Sequence, residues 1–418
     1  MKRAFVGAGA LLFACVERGE VLSTALIHGG DAGGLAGSGD GAGGAGQAEH
    51  PEPDLVISGV AVGMSHSAAI SSGALYVWGE NDMGELGLGD MTDRHVPTAL
   101  TAAQTFVSVS AGSDYTCALD DAGAVYCFGA NDRGQLGQGD RTARDVPTRV
   151  PLPVAARVVS NNFEHVCALL ADASLYCWGQ NFEGELGQDD NSPGSNQDDT
   201  AVDILSPVQV PGTDWNDVSA GDGVTCGVRF DGTLWCWGRN SGHQLAQSAS
   251  APIQIRHPVQ VGSDSDWLRV NSGQQFSFAL KQDHSLWSWG TNVGSPSDGS
   301  PLGVADAELD TPTRLGAASD WVAFATRVFH TCAVNRQNEL WCWGRNIEGQ
   351  LGLSDLELRT TPTHVADGIA AVAVSWFTTC ALTTAGHVLC TGANDHGQIG
   401  DGTTNRPEQF TDVTPAAP

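Results

Sequence analysis

A segment of about 50 residues recurs seven times in this chain, and no other feature limits its possible folds so sharply. LYVWGENDMGELGLGD begins at Leu75 and returns as VYCFGANDRGQLGQGD from Val125 and LYCWGQNFEGELGQDD from Leu175. LWCWGRNSGHQLAQ from Leu234, LWSWGTN from Leu286, LWCWGRNIEGQLGLSD from Leu340 and VLCTGANDHGQIGDGT from Val388 complete the series. The aligned anchors are Trp78, Phe128, Trp178, Trp237, Trp289, Trp343 and Thr391. Such a period marks a propeller or a solenoid, because one unit alone cannot bury its apolar face.

Each copy reads as four short strands. A Ser/Val/Ala-rich strand turns into a strand ending in C-A-L, as in VSAGSDYTCAL, and a polar turn leads to the L-Y-C-W-G strand. A strand containing proline follows, as in VPTAL from Val96 and SPVQV from Ser206. Alternation places Val125, Cys127 and Gly129 on one face of their strand, with Tyr126 and Phe128 on the other. Both faces are apolar, so the sheet must be covered on both sides, as when blades stack around an axis. The expected fold is an all-β, seven-bladed β-propeller over residues 54–418. The segment 405–413 resembles a missing outer strand, so the C-terminus is expected to pair into the first blade and close the ring.

The unit G-x-x-[HY]-[ST]-x-A-L, followed by G-x-[LV]-[YW]-x-W-G-x-N-x-x-G-Q-L-G, resembles the regulator of chromosome condensation (RCC1) repeat. The resemblance spans residues 54 to about 413, with departures at His243, Ala246 and Thr391. It implies a propeller that binds proteins, and in some members guanine-nucleotide exchange on a small GTPase. The same superfamily includes a secreted β-lactamase inhibitory protein, so the resemblance also implies enzyme inhibition as an alternative role.

Ten of the eleven cysteines form pairs ten positions apart. Cys117 goes with Cys127, Cys167 with Cys177, Cys226 with Cys236, Cys332 with Cys342, and Cys380 with Cys390. The first copy has Ala68 and Val77 at these places and the fifth has Phe278 and Ser288, so both members are present or both absent. Covalent pairs across a hairpin produce that correlation. Zinc needs four converging ligands and redox catalysis prefers C-x-x-C, and neither pattern occurs. Five disulfides imply an oxidising compartment.

The eleventh cysteine, Cys15, ends the stretch MKRAFVGAGALLFAC: two basic residues, an apolar run, then LFAC, which is close to a bacterial lipobox. Residues 1–15 are expected to be an export signal with Cys15 lipidated, and residues 16–53 a Gly-rich tether. The match of Gly41 to Gly46 with a dinucleotide fingerprint lacks the flanking strand and helix, and reflects composition. A net charge of −28 disfavours nucleic acid and anionic lipid as partners of the body of the protein.

No nucleophile, phosphate-loop or zinc-protease motif occurs, so no catalytic, cofactor-binding or metal residue is assigned. His66, His165 and His330 share one repeat position, and a structural hydrogen bond is the expected role rather than a metal ring. Asn81, Asn131, Asn181, Asn240, Asn292, Asn346 and Asn394 recur in a turn, where asparagine supports its own backbone. The acidic loop after Gln188 lacks the ligand order of a calcium loop. Insertions between Asp189 and Asp203, Ser241 and Ile255, and Asn292 and Glu308 fall in adjacent copies and are the candidate partner-binding loops. Together these features describe an exported, monomeric, non-enzymatic protein-binding scaffold without a cofactor, held to a membrane only by its lipid.

Overall fold

A computed structural model describes residues 57–188, 203–247, 251–292, 300–304 and 308–415. The expected signal with Cys15, the tether, Asp189 and parts of the three insertions lie outside the described residues. Among the described residues, 28 strands form seven antiparallel sheets of four, each in chain order. The first holds β1 (Ile57–Val62), β2 (His66–Ser71), β3 (Ala74–Gly79) and β4 (Arg94–Ala99). The last holds β25 (Ile369–Val374), β26 (Thr378–Thr383), β27 (Val388–Gly392) and β28 (Thr411–Asp412). First strands of all seven sheets line one central channel, so the molecule is the expected seven-bladed propeller.

The core sits between blades rather than within them. Val125 and Cys127 pack toward Val159, Val166 and Trp178 of the third blade, while Phe128 packs back onto Leu75, Val77 and Leu86 of the first. Seven such clusters, one per interface, run around the ring. Trp78, Trp178, Trp237, Trp289 and Trp343 are fully buried in them. Each of these rings donates its Nε1 hydrogen to a carbonyl in the preceding blade's loop, as Trp178 does to Gln135 at 2.9 Å. A glycine must precede that contact: at Gly137 (φ +70°) a Cβ would lie 2.8 Å from Trp178 Nε1.

A propeller leaves the inner edges of its sheets unpaired, and an unpaired buried amide is costly. Here the preceding blade supplies side-chain acceptors. Ser160 Oγ accepts from Ala220 N at 3.0 Å, Ser219 Oγ from Ser272 N at 3.0 Å, and Asn271 Oδ1 from Thr326 N at 2.9 Å. Asp217 Oδ2 does the same for Val270 N at 2.9 Å.

Closure differs from expectation. The proline-containing strand is the fourth strand of its own blade, with Tyr76 opposite Ala99, so the first blade is complete without the C-terminus. The C-terminal strand β28 pairs with β27 in the seventh blade, Leu389 opposite Asp412 and Cys390 opposite Thr411. The ring instead closes through the loop before it. Trp78 Nε1 and Ser67 Oγ donate to the Gln398 carbonyl at 2.9 and 2.8 Å, and Gly402 N donates to His95 O at 2.8 Å. This is the same latch that joins the other blades.

The cysteines are bonded in the five expected pairs, each within one hairpin of one blade. Cys117 is joined to Cys127 in the second blade, Cys167 to Cys177 in the third and Cys226 to Cys236 in the fourth. Cys332 is joined to Cys342 in the sixth blade and Cys380 to Cys390 in the seventh. The Cα atoms of every pair are 4.1 Å apart and the two residues stand directly opposite in register. That spacing belongs to a pair without mutual backbone hydrogen bonds, where side chains approach most closely. All ten of these cysteines are fully buried at blade interfaces.

Candidate partner-binding face

The most repeated residues serve the fold. Asn81 Oδ1 accepts from Leu86 N at 3.0 Å and its Nδ2 donates to Asp90 O at 2.8 Å, closing its own loop. Asn131, Asn181, Asn240, Asn346 and Asn394 accept the equivalent amide, and Asn292 accepts that of Leu302. His66, His165 and His330 lie in separate blades and each Nε2 meets a threonine of the next: Thr116 at 2.9 Å, Thr225 at 2.9 Å and Thr379 at 2.7 Å. Those threonine hydroxyls donate onward to the carbonyls of Glu85, Glu185 and Gln350, so the imidazole must be the donor. Burial pushes all three histidines down to about 3, with Arg327 adding to the effect at His66. They are neutral struts, as their repeat position implied.

The channel narrows to a cavity of about 100 Å³. At one end the turns between first and second strands converge. The residue opening that turn is Gly63, Gly112, Gly221 or Gly273 in four blades, but Arg327 in the sixth. Its guanidinium reaches across to the Ala111 carbonyl at 2.7 Å and lies near Val62 O at 3.5 Å. Burial lowers it to about 10, while Asp222 opposes that shift. Arg327 therefore plugs this mouth and ties the sixth blade to the first and second.

Around the plug lie aromatic side chains. Phe163 stacks on Trp376 with centroids 6.4 Å apart, joining the turns of the third and seventh blades across the mouth. Phe329 of the sixth blade meets Trp376 at 6.2 Å and Phe377 at 5.3 Å, and Arg345 lies 4.7 Å over the Phe329 ring. All four rings are half-buried. Charged side chains of both signs surround them: burial raises the carboxyls of Asp114, Glu164 and Asp222, with Arg133 3.3 Å from Glu164 and Arg239 3.9 Å from Asp222. The result is an apolar patch with a charged rim on a chain of net charge −28, suited to a protein surface with basic residues.

The loops after each third strand leave from this same edge, since His66 pairs with Gly79 and Glu80 N donates to Ser65 O at 2.9 Å. The described ends of the insertions thus lie at the edge that carries the aromatic turns. Their described end residues are anchors rather than a continuous surface. Asp203 is buried and ion-paired with Arg141 at 2.7 Å. Ile255 lies in a strand and packs on the core, and Asn292 holds Leu302 N at 3.0 Å. Ser241 is exposed, and exposed Glu308 meets His243 Nε2 at 2.8 Å. Among the described residues, three groups could each present three metal-ligand atoms within 4.8 Å of one another. They are His243 with Glu308 and Asp310, Glu339 with His364 and Asp367, and Glu80 with Glu85 and Asp114.

The aromatic turn residues escaped the sequence pattern, because a two-residue turn has no periodicity. The available signal was contrast: four copies carry Met-Ser, Ser-Asp, Asp-Gly or Gln-Gln where the third, sixth and seventh carry Phe163, Phe329 and Trp376-Phe377.

A model of the regulator of chromosome condensation (RCC1) repeat matches residues 72–119, 122–167, 172–228 and 231–280. A second model of that repeat matches residues 106–135, 158–185, 215–244, 328–350 and 369–398, and the two together cover more than half of the chain. The ultraviolet-B receptor UVR8 of Arabidopsis thaliana is 28% identical over 324 residues, 75% of this chain and 58% of the receptor. The mitochondrial RCC1 domain-containing protein RUG3 of the same plant is 29% identical over 151 residues, 35% of this chain and 33% of RUG3. The chain therefore spans less than two thirds of these relatives. Prp20p of Saccharomyces cerevisiae superposes with a TM-score of 0.69 at 21% identity, covering 87% of this chain and 88% of that one. Human WBSCR16 gives 0.68 at 21% identity, covering 79% and 88%. These likenesses show the propeller.

Proposed function

We propose that this chain, which belongs to the RCC1 repeat family, is an exported scaffold that binds a basic partner protein through its aromatic face and has no catalytic activity of its own. The observation that carries this reading is the patch of Phe163, Phe329, Trp376 and Phe377 around the plugged mouth. Aromatic side chains in a polar rim supply most of the energy of protein interfaces. In the channel, the Asp217 carboxylate is already committed to the Val270 amide. A solved yeast relative is described by its binding to Gsp1p and histones, and another structure holds it with Kap60. Protein recognition therefore suits this architecture.

Replacing Phe163, Trp376 and Phe377 together with serine is expected to weaken partner capture at least 100-fold, because hot-spot truncations cost about 2 kcal/mol or more each. The melting temperature should fall only modestly, since these rings are half-buried at a surface. Unchanged capture by the folded variant would move the interface elsewhere.

Export rests on the five buried disulfides and on the signal-like residues 1–15, with Cys15 as the lipid attachment and the chain acting as a monomer. Non-reducing peptide mapping of protein taken from its own cells should find all five bridges, and Cys15→Ser should release the chain from membranes. Free thiols in that sample would place it in a reducing compartment. They would also favour the second reading, guanine-nucleotide exchange on a small GTPase. One relative, the human RCC1-like G exchanging factor-like protein, is 37% identical over 68 residues, 16% of this chain and 15% of its own length. Accelerated release of fluorescent GDP from a small GTPase is the direct assay of that reading. Inhibition of a secreted enzyme is a further form that binding through this face could take.

A further inference from the structure

Two neighbouring blades hold a cation of their own against paired tryptophans, and the next blade keeps the tryptophans without the cation. In the fourth blade, the Arg229 guanidinium lies 4.8 Å from the Trp215 ring and 4.2 Å from that of Trp235. In the fifth, Lys281 Nζ lies 4.6 Å from Trp267 and 4.7 Å from Trp287. Each cation sits opposite the first tryptophan in strand register. Each also faces the carboxylate that precedes that tryptophan: Asp214 is 4.0 Å from Arg229 and Asp266 is 2.9 Å from Lys281.

The sixth blade repeats every part of this arrangement except one. Trp321 and Trp341 meet edge to face at 6.4 Å, as Trp267 and Trp287 do at 5.9 Å. Asp320 precedes Trp321, but the residue opposite Trp321 is Asn335. That side chain is folded onto its own turn. Its Oδ1 accepts from Gln337 N at 3.0 Å and Glu339 N at 2.9 Å, and its Nδ2 donates to Glu339 Oε2 at 2.7 Å.

A cavity of about 790 Å³ opens beside these residues, lined by Trp321, Trp341, Val304, Leu315, Asp320 and Glu339 among others. Among the described residues, no lysine or arginine lines it. Trp235 and Trp287 donate their Nε1 hydrogens to Thr233 and Ser285, whereas buried Trp341 Nε1 has no such acceptor. Of the nearby basic groups, Arg314 is turned onto the carbonyls of Ala317 and Ala318, and His364 packs on Trp341 at 5.4 Å while paired with Asp367 at 2.9 Å.

We propose that this cleft binds an organic ammonium group from outside the chain, in the place that the Lys281 ammonium fills in the fifth blade. Two electron-rich ring faces and two carboxylates attract an ammonium cation, and quaternary ammonium groups are the guests such cages favour. A free quaternary ammonium compound and the lysine side chain of a partner protein share this chemistry.

Calorimetric titration of the full chain with choline, and with its neutral isostere 3,3-dimethylbutan-1-ol, tests the proposal. Choline is expected to bind on the order of tenfold more tightly, the ratio that a partly desolvated cation–π contact supplies. Asn335→Lys rebuilds the fifth-blade arrangement, so it should fold, melt at or above the wild-type temperature and lose choline binding. Trp341→Leu should weaken binding without that gain in stability. A lysine-containing tripeptide with blocked ends separates the two sources: tighter binding of the peptide assigns the guest to a partner's lysine, and tighter binding of choline to a free ammonium compound. Equal binding of choline and its isostere, failure of both choline and the peptide to bind, or undiminished choline binding by Asn335→Lys would each overturn the proposal.

Discussion

Deleting residues 403–418 is expected to destabilise the protein by about 5 kcal/mol or more, a large share of the usual stability of a domain. The loss arises in the seventh blade. Its anchor is Thr391 where five copies have tryptophan, and Phe410 fills the space: at Gly352 a Cβ would lie 2.7 Å from the Phe410 ring. Val413 is buried against the interface with the first blade, and Thr391 Oγ1 bonds to Pro407 O at 3.0 Å. Truncation removes these contacts and bares the edge of β27. Phe410→Ala alone should cost about 2–3 kcal/mol, below the full cost of a buried phenylalanine because this ring is half-buried. Native-state hydrogen exchange locates the effect. The Val388 and Gly392 amides, which donate to Thr414 Oγ1 and Pro407 O, should lose protection first. Early loss at β3 and β4 instead would return the C-terminus to the first blade.

The phase of the blades is where sequence reasoning slipped, and the cause is general. A proline-containing strand between two hairpins can complete the unit before it or open the unit after it, and hydrophobic alternation is the same in both cases. Only the pairing of Tyr76 with Ala99 resolves the choice. Cysteine pairing was legible, by contrast, because seven copies act as an internal alignment in which Cys117 and Cys127 vary together. The same alignment placed Cys177, Cys236 and Cys342 opposite their partners before any register was known. Thr391 was visible as an exception, yet its replacement by Phe410 was not, since the substitute lies 19 positions along the chain and outside the repeated motif. Of the insertions only the ends are described, and there Asp203 proved to be an ion-paired anchor. The aromatic patch is assembled from turn residues of the third, sixth and seventh blades, far apart in the chain, and such a site has no local signature.

Internal repetition also explains the pH response expected of this protein. Replacing Glu85 and Glu185 with glutamine should stabilise it strongly at pH 8 and hardly at all near pH 4. At the same repeat position stand Gln135, Gln244, Gln350 and Gln398, whose side-chain oxygens accept the amide two residues earlier, as Gln135 does from Arg133 N at 2.9 Å. Glu85 and Glu185 accept the equivalent amides of Met83 and Glu183 at 2.9 and 2.8 Å. They occupy a site built for a neutral amide. Burial raises both from the ordinary 4.5 to about 7, so folding holds them protonated where the unfolded chain would ionise them. The stabilisation from that proton is full below about pH 4.5 and is lost as pH rises to about 7. The gap corresponds to roughly 3 kcal/mol per residue, and the two sites lie in different blades, so their effects should add. Buried His66, His165 and His330 act in the opposite sense. Their folded values of about 3 lie below the ordinary 6.5, so their contribution is present above pH 6.5 and declines as the solution is acidified toward 3. Wild-type stability should therefore fall on both sides, with acid loss from the histidines and alkaline loss from the glutamates. The double glutamine variant should keep the acid limb and lose the part of the alkaline one that Glu85 and Glu185 supply. Asp217, raised to about 6 by burial, and Asp114, Glu164 and Asp222, raised in the same direction, leave the rest of that slope behind. Urea unfolding at pH 4, 5, 6, 7 and 8 measures this directly, and parallel curves for the two proteins would show that these carboxyls are ionised in the fold.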